Sequence, residues 1–313
     1  AVWVLGVVPG SLQAIDIAHN IVLTEDQNVG ELNIQGGASL DLNGYTLTVD
    51  RGTLSNAGTF THNNGTVRFT KSGAQDIEGL TYGNLIIAGS GTKTLADNST
   101  VQGDLTIYST LDIDDANDYQ ISISGDWTNL GTFNAYQGTV LFNGTSAQEI
   151  QNNTTFYNLN LDADADVTNT GTISATNGLT IGNDASFTNS STITVTGDIT
   201  GSNANSTFVN SADATLNIAG TLLSTGILDD SAACNLVNYN LSGDQTIKTP
   251  SANQYAALTF SGSGNKVAPA GDLYVSCNWT NNAGFSNNSG TVIFNGSSAQ
   301  DRKSTRLNSS HYS

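Results

Sequence analysis

The sequence predicts an all-β fold, a right-handed parallel β-helix (β-solenoid) of short strands with about 18 to 20 or slightly more residues per coil. Two observations carry this prediction: apolar residues recur in short alternating pairs, and one segment occurs four times along the chain. Helical periodicity is absent from the sequence. A tandem array of small β-sandwich domains is the alternative fold, because the copies are far enough apart for each to hold one domain.

The alternating pairs consist of two apolar residues separated by a single residue, as in Leu32 with Ile34 and Leu105 with Ile107. Residues two apart lie on the same face of a strand, so each pair predicts a short strand with one buried face. Turn residues such as Asn43-Gly44 separate the pairs and supply the positive φ that tight corners need. We therefore expect coils of two or three strands, with Leu, Ile, Val and Phe pointing inward.

The recurring segment, which we call the cassette, contains a valine, an aromatic residue two positions later, and a glutamine six positions after the aromatic. Its residues are Val67, Phe69, Gln75 and Ile77; Val140, Phe142, Gln148 and Ile150; Val237, Tyr239, Gln245 and Ile247; and Val292, Phe294 and Gln300. We interpret the cassette as structural, since no catalytic motif repeats with it. Its apolar positions are expected to point inward and to lie over one another along one axis.

Residues that flank the cassette repeat as well. The upstream residues are Leu54 and Phe60, Trp127 and Phe133, and Trp279 and Phe285, and the downstream aromatics are Tyr82, Phe156 and Tyr255. Such self-similarity is typical of a solenoid or an array.

The intervals between cassettes predict the coil length. They are 73 residues from Val67 to Val140, 97 from there to Val237, and 55 from there to Val292. Four, five and three coils of roughly 18 to 20 residues fit these intervals. We therefore expect residues 1–300 to form one solenoid array that is a fragment of a longer protein.

Composition narrows the functional classes. Only 12% of the 313 residues are charged and only 3 are proline, which argues against a disordered tract. The net charge is −18, and the bases before residue 301 are Arg51, Arg68, Lys71, Lys93, Lys248 and Lys266. So few bases exclude a phosphate-binding surface, and we expect no nucleic-acid partner. An acidic surface of this kind suits a secreted protein, a saline medium or loose divalent-cation binding. No apolar run is long enough to predict a transmembrane helix.

The two cysteines, Cys234 and Cys277, are separated by about two predicted coils, and no CxxC motif is present. Two buried free thiols are expected. A bridge between nearby coils is the alternative.

Two acidic clusters are the candidate metal ligands. They are Asp112, Asp114 and Asp115, and Asp162, Asp164 and Asp166. Alternation in the second cluster predicts three aspartates on one strand face, an arrangement that suits Ca²⁺. Neither cluster matches an EF-hand loop or a calcium-binding nonapeptide, so solvated loop acids are the plainer interpretation and no other cofactor is expected.

Catalytic residues are not predicted anywhere in the chain. His19 and His62 lie near no nucleophile motif and are interpreted as surface or turn residues. A polysaccharide hydrolase needs two facing carboxylates, and a lyase needs a base beside a bound cation.

Exposed tyrosines could instead stack on sugars or simply pack against the coils; they are Tyr45, Tyr108, Tyr119 and Tyr136.

Both ends of the chain break the pattern. Trp3 and the turn at residues 6–11 resemble the start of bacterial β-strand-repeat proteins. Residues 301–311 resemble the conceptual translation of a sequencing-library adapter, so we expect 301–313 to be a non-native, disordered tail.

The cassette, the downstream aromatic-x-Asn-Leu element and the Gly-Asp turns together resemble those of large secreted bacterial β-strand-repeat proteins, which are autotransporter-passenger-like and adhesin-like surface proteins. The resemblance covers residues 3–300. It implies an extracellular structural or adhesive stalk or display surface, secreted or on the cell surface, with surface glycans or a neighbouring or host cell as partners. Truncated ends imply end-to-end self-association. A carbohydrate-active enzyme or a glycan-binding module is the alternative function.

Overall fold

A computed structural model describes residues 13–304, which contain forty β-strands and no helix. No helix in this described range is therefore long and apolar enough to cross a membrane. The described residues form two compact units, 13–157 and 158–304, and the boundary falls within one strand, Thr154–Leu161. Both units consist of stacked parallel strands, so the predicted β-solenoid is confirmed. Tandem β-sandwiches are excluded, because they are built from antiparallel sheets.

Strands of the first unit follow one another in groups of three, one group per coil. They are β1 (Ala14–Ile17), β2 (Ile21–Val22), β3 (Gln27–Val29), β4 (Glu31–Ile34), β5 (Ser39–Asp41), β6 (Thr46–Val49), β7 (Leu54–Asn56), β8 (Thr59–Thr61), β9 (Thr66–Phe69), β10 (Gln75–Ile77), β11 (Thr81–Tyr82), β12 (Asn84–Ile87), β13 (Thr92–Leu95), β14 (Ser99–Val101), β15 (Leu105–Ile107), β16 (Thr110–Asp112), β17 (Gln120–Ile123), β18 (Trp127–Asn129), β19 (Thr132–Asn134), β20 (Thr139–Phe142), β21 (Gln148–Gln151) and β22 (Thr154–Leu161). Every third strand pairs with the next, in the orders β3-β6-β9-β12-β15-β18-β21, β10-β13-β16-β19, β11-β14-β17-β20, β1-β4-β7 and β2-β5-β8.

The second unit also stacks parallel strands, with two or three strands per coil. Its strands are β23 (Asp166–Asn169), β24 (Thr172–Ile181), β25 (Ser186–Asn189), β26 (Thr192–Val195), β27 (Asp198–Gly201), β28 (Thr207–Asn210), β29 (Thr215–Ile218), β30 (Ile227–Asp229), β31 (Leu236–Tyr239), β32 (Gln245–Thr246), β33 (Gln254–Tyr255), β34 (Ala257–Phe260), β35 (Asn265–Val267), β36 (Leu273–Val275), β37 (Trp279–Asn281), β38 (Gly284–Ser286), β39 (Val292–Phe294) and β40 (Arg302–Ser304). They pair in the orders β23-β25-β28-β30, β24-β26-β29-β31-β34-β37-β40, β32-β35-β38 and β33-β36-β39, and β27 pairs with β24.

Coil length follows from the register of these pairs. Asp16 lies opposite Asn33, 17 residues later, and Thr128 lies opposite Gln151, 23 residues later. A coil averages about 20 residues. The coil length varies because corners of different lengths join strands of similar length. The parallel ladder fixes the pairing of the strands but not the number of residues in each corner.

The core consists of apolar columns along the stacking direction. In the first unit one column contains Leu47, Val67, Leu85, Leu105, Trp127 and Ile150, all fully buried. In the second unit another contains Val167, Phe187, Phe208 and Leu228. Burying each large apolar side chain contributes roughly 1.5 to 3 kcal/mol, so these columns are the main source of stability. The column also opposes a one-residue slip, which would turn its side chains outward.

Cassette positions point inward, as predicted, in the first three copies. Their valines, aromatics and isoleucines have at most 1% exposure. In the fourth copy Val292 and Phe294 are half-buried. The aromatic residues join clusters with the flanking aromatics, for example Phe69 with Tyr82 and Tyr239 with Tyr255.

The expectation that cassettes lie over one another is wrong within each unit. Val67 lies on β9 and Val140 on β20, which belong to different sheets. Three complete coils lead from β9 to β18, and two further strands lead from there to β20. The interval from Val67 to Val140 therefore contains three coils and two strands of a fourth, whereas four whole coils were predicted. Similarly, two coils and two strands lead from β31 to β39 instead of three coils. The reason is that a cassette encodes a strand, a corner and the start of the next strand, a unit that fits more than one side of a coil.

The described chain continues beyond residue 300 as a strand. In β40, Arg302 lies opposite Trp279, and its guanidinium carbon is 4.3 Å from the ring centroid of Phe294. Residues 302–304 are thus ordered on β37, whereas the sequence predicted a disordered tail from 301. The rest of that tail, 305–313, and the N-terminal turn with Trp3 lie outside the described residues. The single array stays a prediction.

Candidate functional site

The first acidic cluster supports turns and a neighbouring strand. Asp114 Oδ1 accepts hydrogen bonds from the backbone N–H of Ala116 at 2.7 Å and from Asn117 Nδ2 at 3.2 Å. Asp112 accepts hydrogen bonds from Asn134 Nδ2 at 2.6 Å and, through Oδ2, from the hydroxyl of Tyr136 at 3.3 Å. The structure therefore assigns these carboxylates local hydrogen-bonding partners.

The second acidic cluster does not lie on one strand face, so that prediction is wrong. Residues 162–165 form a corner in which Asp164 has a φ of 61°, and only Asp166 belongs to a strand. Asp162 Oδ1 accepts a hydrogen bond from the N–H of Ala163 at 2.8 Å. Aspartate tolerates left-handed backbone, which lets this alternating sequence turn. Across residues 13–304, no group of three or more His, Cys, Asp or Glu side chains is placed to hold a metal ion.

The cassette glutamines form the most regular polar arrangement. Gln148 is buried, and its Nε2 donates to the carbonyls of Ile123 at 2.9 Å and Gly125 at 2.7 Å, both in the preceding coil. Its Oε1 accepts from the N–H of Gly144 at 2.8 Å. One side chain therefore closes its own corner and fastens that corner to the coil before it. We call this arrangement the glutamine clamp.

The Nε2 bonds of the clamp recur in every copy of the cassette, and the Oε1 bond to a corner N–H recurs at Gln75 and Gln245, whereas Gln300 Oε1 accepts from the Arg302 guanidinium at 3.4 Å. Gln75 Nε2 donates to the carbonyls of Val49 (3.2 Å) and Gly52 (2.7 Å), Gln245 Nε2 to those of Ile218 (2.9 Å) and Gly220 (2.8 Å), and Gln300 Nε2 to those of Val275 (2.9 Å) and Cys277 (2.8 Å). The sequence predicted the recurrence of the glutamine, and the contacts explain it: a side chain with both a donor and an acceptor is needed at this corner.

Two lysines are fully buried one coil after a clamp. Lys93 lies opposite Gln75, and its ammonium donates to the carbonyls of Lys71 and Ser90, each at 2.9 Å. Lys266 lies opposite Gln245, and its ammonium donates to the carbonyls of Leu241 at 2.7 Å and Gly243 at 2.9 Å. Burial lowers the pKa of both ammonium groups. We call each arrangement a lysine corner.

The lysine corners have a sequence signal of their own, apart from the cassette. Gly89-Ser-Gly-Thr-Lys93 and Gly262-Ser-Gly-Asn-Lys266 share the pattern Gly-Ser-Gly-x-Lys. All four glycines have φ between 73° and 76°, a conformation that turns the corner so that its carbonyls face the ammonium. The pattern could therefore have identified both buried lysines from the sequence.

A ladder of buried amides crosses the second unit. Asn169 Nδ2 donates to Asn189 Oδ1 at 2.9 Å, Asn189 Nδ2 to Asn210 Oδ1 at 3.0 Å, and Asn210 Nδ2 to Asp230 Oδ1 at 3.1 Å. Asp230 Oδ2 accepts from the N–H of Ala256 at 3.2 Å, so the acid ends the ladder with an acceptor where an amide would present a donor. Burial raises the pKa of Asp230 to about 7.

Exposed aromatic residues concentrate on one side of the first unit. Tyr108 and Tyr136 are 55% and 46% exposed, and Leu130, one coil after Tyr108, is 55% exposed. Between them run β16 and β19, where Asp112 lies opposite Asn134. We call these five residues the tyrosine face. Negative charge on Asp112 raises the pKa of the Tyr136 hydroxyl.

The remaining candidate tyrosines and the histidines have ordinary environments. Tyr45 and Tyr119 are half-buried. His19 is exposed, and His62 Nδ1 accepts a hydrogen bond from the N–H of Asn64 in a turn. Both histidines therefore lie at the surface or in a turn, as predicted.

Cysteine burial differs from the prediction. Cys234 is exposed and Cys277 is half-buried, although both were expected to be buried. Their Sγ atoms are 3.4 Å apart and both thiols are free. Cys234 lies in a corner with a φ of 56°, which places its side chain outside the apolar column.

No protein-family model matches the sequence, and searches of curated proteins and of solved structures return no similar protein.

Proposed function

We propose that this chain is an extracellular structural segment, a stalk or display surface of a bacterial surface protein. The observation that supports it most directly is the glutamine clamp, whose Nε2 joins the corner to the preceding coil in all four cassettes. Parallel ladders and clamps together oppose separation of coils, which is the load a stalk bears. The role needs no cofactor.

Force spectroscopy on the full chain, held at its two ends, tests the mechanical role. We expect stepwise lengthening, because a solenoid coil contacts mainly its neighbours, with steps of about 60 to 70 Å for a coil of about 20 residues. Gln148→Ala should lower the force of the steps in its own coil and the preceding one. Featureless extension at low force would contradict the proposal.

The extracellular bacterial setting rests on the resemblance of the repeats and on the acidic, lysine-poor composition. Antibodies raised against the chain should label intact cells of the source organism. Labelling only after permeabilisation would contradict this setting. End-to-end self-association, also part of the proposal, should appear as concentration-dependent oligomers in size-exclusion chromatography with light scattering.

Glycan binding at the tyrosine face is a second candidate function. Tyr108 and Tyr136 offer exposed rings for stacking on sugars, and Asp112 and Asn134 offer hydrogen-bonding groups between them. A glycan array should show binding that Tyr108→Ala and Tyr136→Ala abolish. Tyr274→Ala, an outward substitution on β36, is the matched control. Uronate release from acidic polysaccharides would instead indicate a lyase.

A further inference from the structure

Cys234 and Cys277 belong to two coils that are separated by a third. Cys234 lies in the corner between β30 and β31, and Cys277 in the corner between β36 and β37. Because β31 pairs with β34 and β34 with β37, these corners are two coils apart. Two coils correspond to about 9.6 Å between backbones, which is beyond the span of a disulfide.

The corner of the intervening coil explains how the thiols nevertheless meet. It consists of the single residue Ala256, between β33 and β34, and this alanine is buried. The N–H of Cys277 donates to the carbonyl of Ala256 at 2.8 Å, so Cys277 lies directly over this short corner. The longer corner at residues 230–235 reaches past it, and the Cys234 and Cys277 Sγ atoms come within 3.4 Å.

We propose that Cys234 and Cys277 form a disulfide that staples three consecutive coils of the second unit. The Sγ atoms need to approach by only about 1.4 Å to reach bonding distance. Cys234 is exposed and at a corner, where small backbone shifts leave the ladders intact. The chain has only these two cysteines, so only one intramolecular bridge can form.

The oxidant is a disulfide, either of low molecular weight or in an oxidoreductase. The Cys234 thiolate attacks one of its sulfurs, which forms a mixed disulfide and releases one thiolate. The Cys277 thiolate then attacks the Cys234 sulfur, which forms the bridge and releases the second thiolate. The two cysteines lose two protons and two electrons, and the oxidant is reduced to two thiols. The hydrogen bond with Cys277 raises the pKa of Cys234, so the reaction should accelerate with rising pH.

Incubation of the full chain with glutathione disulfide tests the bridge. Intact mass should fall by about 2 Da, the mass of two hydrogens. A non-reducing peptide map should link the peptides of Cys234 and Cys277, and maleimide should label neither. The bridge closes a loop of 43 residues, so oxidation should raise the melting temperature by about 5 to 10 °C.

Matched variants separate the bridge from general oxidation. Cys234→Ser and Cys277→Ser should each abolish the mass change and the shift in melting temperature. The bridge should also form more readily in the native chain than in guanidinium chloride, by about 10²- to 10³-fold in its glutathione equilibrium constant. Maleimide labelling of both native thiols after oxidation, only disulfide-linked dimers, or equal constants in the two solvents would overturn the proposal.

Discussion

Gln148, Lys93 and Asp230 are polar side chains buried at positions where most other residues are apolar. Each forms a hydrogen bond with a backbone group at a corner or at the end of a column, which is the carbonyl of Gly125, the carbonyl of Lys71 or the N–H of Ala256, respectively. An unpaired buried carbonyl or N–H costs about 1 to 3 kcal/mol, so these side chains act by satisfying the backbone. Replacing one of them should therefore have a larger effect than its own hydrogen bonds suggest.

Gln148→Ala should destabilise the chain by about 2 to 4 kcal/mol, because it removes the donor of the Gly125 carbonyl and the acceptor of the Gly144 N–H, whereas the Ile123 carbonyl keeps the N–H of Asn143. Gln148→Glu should cost more near neutral pH, where a carboxylate would face these carbonyls, and should recover as the pH falls and the acid is protonated. Urea titration monitored by circular dichroism measures both effects.

Gln102→Ala is the control for the clamp, since this side chain is exposed, and it should change stability by less than about 0.5 kcal/mol. Equal effects of Gln102→Ala and Gln148→Ala would show that the clamp contributes nothing.

Asp230 makes stability depend on pH. Burial raises its pKa to about 7 in the folded chain, whereas an unfolded aspartate titrates near pH ~3.9. Between these values the folded chain holds a proton that the unfolded chain has released, so this group's contribution falls as the pH rises, by up to about 4 kcal/mol. Above pH ~7 the loss is complete.

Asp230→Asn removes that dependence and places an amide donor against the N–H of Ala256. We expect wild type to be the more stable protein near pH 4 and the variant to be the more stable above pH 7, as measured by thermal unfolding across this range. A constant difference between the two proteins would contradict the buried, titrating acid.

At the scale of the element, the corners of this solenoid differ from one another more than its strands do. The strands could be predicted from sequence because residues two apart share a face, and the pairs Leu32 with Ile34 and Leu105 with Ile107 lie buried on strands as expected. Corner geometry could not, because it depends on which carbonyls are left unpaired by the coil below. The corner at Asp162 to Ala165 looked like a strand by alternation alone.

The lysine corner gives an element-scale prediction. Lys93→Met keeps the length of the apolar stem but removes the donor from the carbonyls of Lys71 and Ser90. We expect a loss of about 2 kcal/mol or more in the free energy of unfolding, measured by urea titration. Lys71→Met, at a half-buried position in the corresponding corner of the preceding coil, is the control and should be nearly neutral. A neutral Lys93→Met would show that water satisfies these carbonyls.

Stacked coils give the whole molecule a local pattern of stability, because each coil rests on its neighbours. Part of this scale was predictable: the repeat of the cassette indicated a solenoid, and the coil length of about 20 residues agrees with the predicted one. The side of the coil on which each cassette lies could not be predicted, because the spacing between cassettes does not distinguish a whole number of coils from whole coils plus one or two strands. The strand-face placement of Asp162, Asp164 and Asp166 was wrong for a similar reason, because the first two of these residues lie in a corner.

Hydrogen exchange should reveal this locality. In Gln148→Ala, the amide of Gly144 loses its acceptor and the corner of the preceding coil loses its donor, so peptides over residues 120–150 should exchange faster. Peptides over β1 to β6, several coils away in the same unit, should be unchanged. Uniform acceleration would contradict nearest-neighbour stability.

The one-strand offset between cassettes has a consequence for how such chains evolve. If a genetic duplication can add a side of the coil as well as a complete revolution, every later residue is rotated to a new direction while its interior partners are preserved. The surface residues of the later coils would then face a new direction while the packing of the interior stays the same. The number of acceptable crossover points in the gene is correspondingly larger than a strict whole-turn repeat would permit.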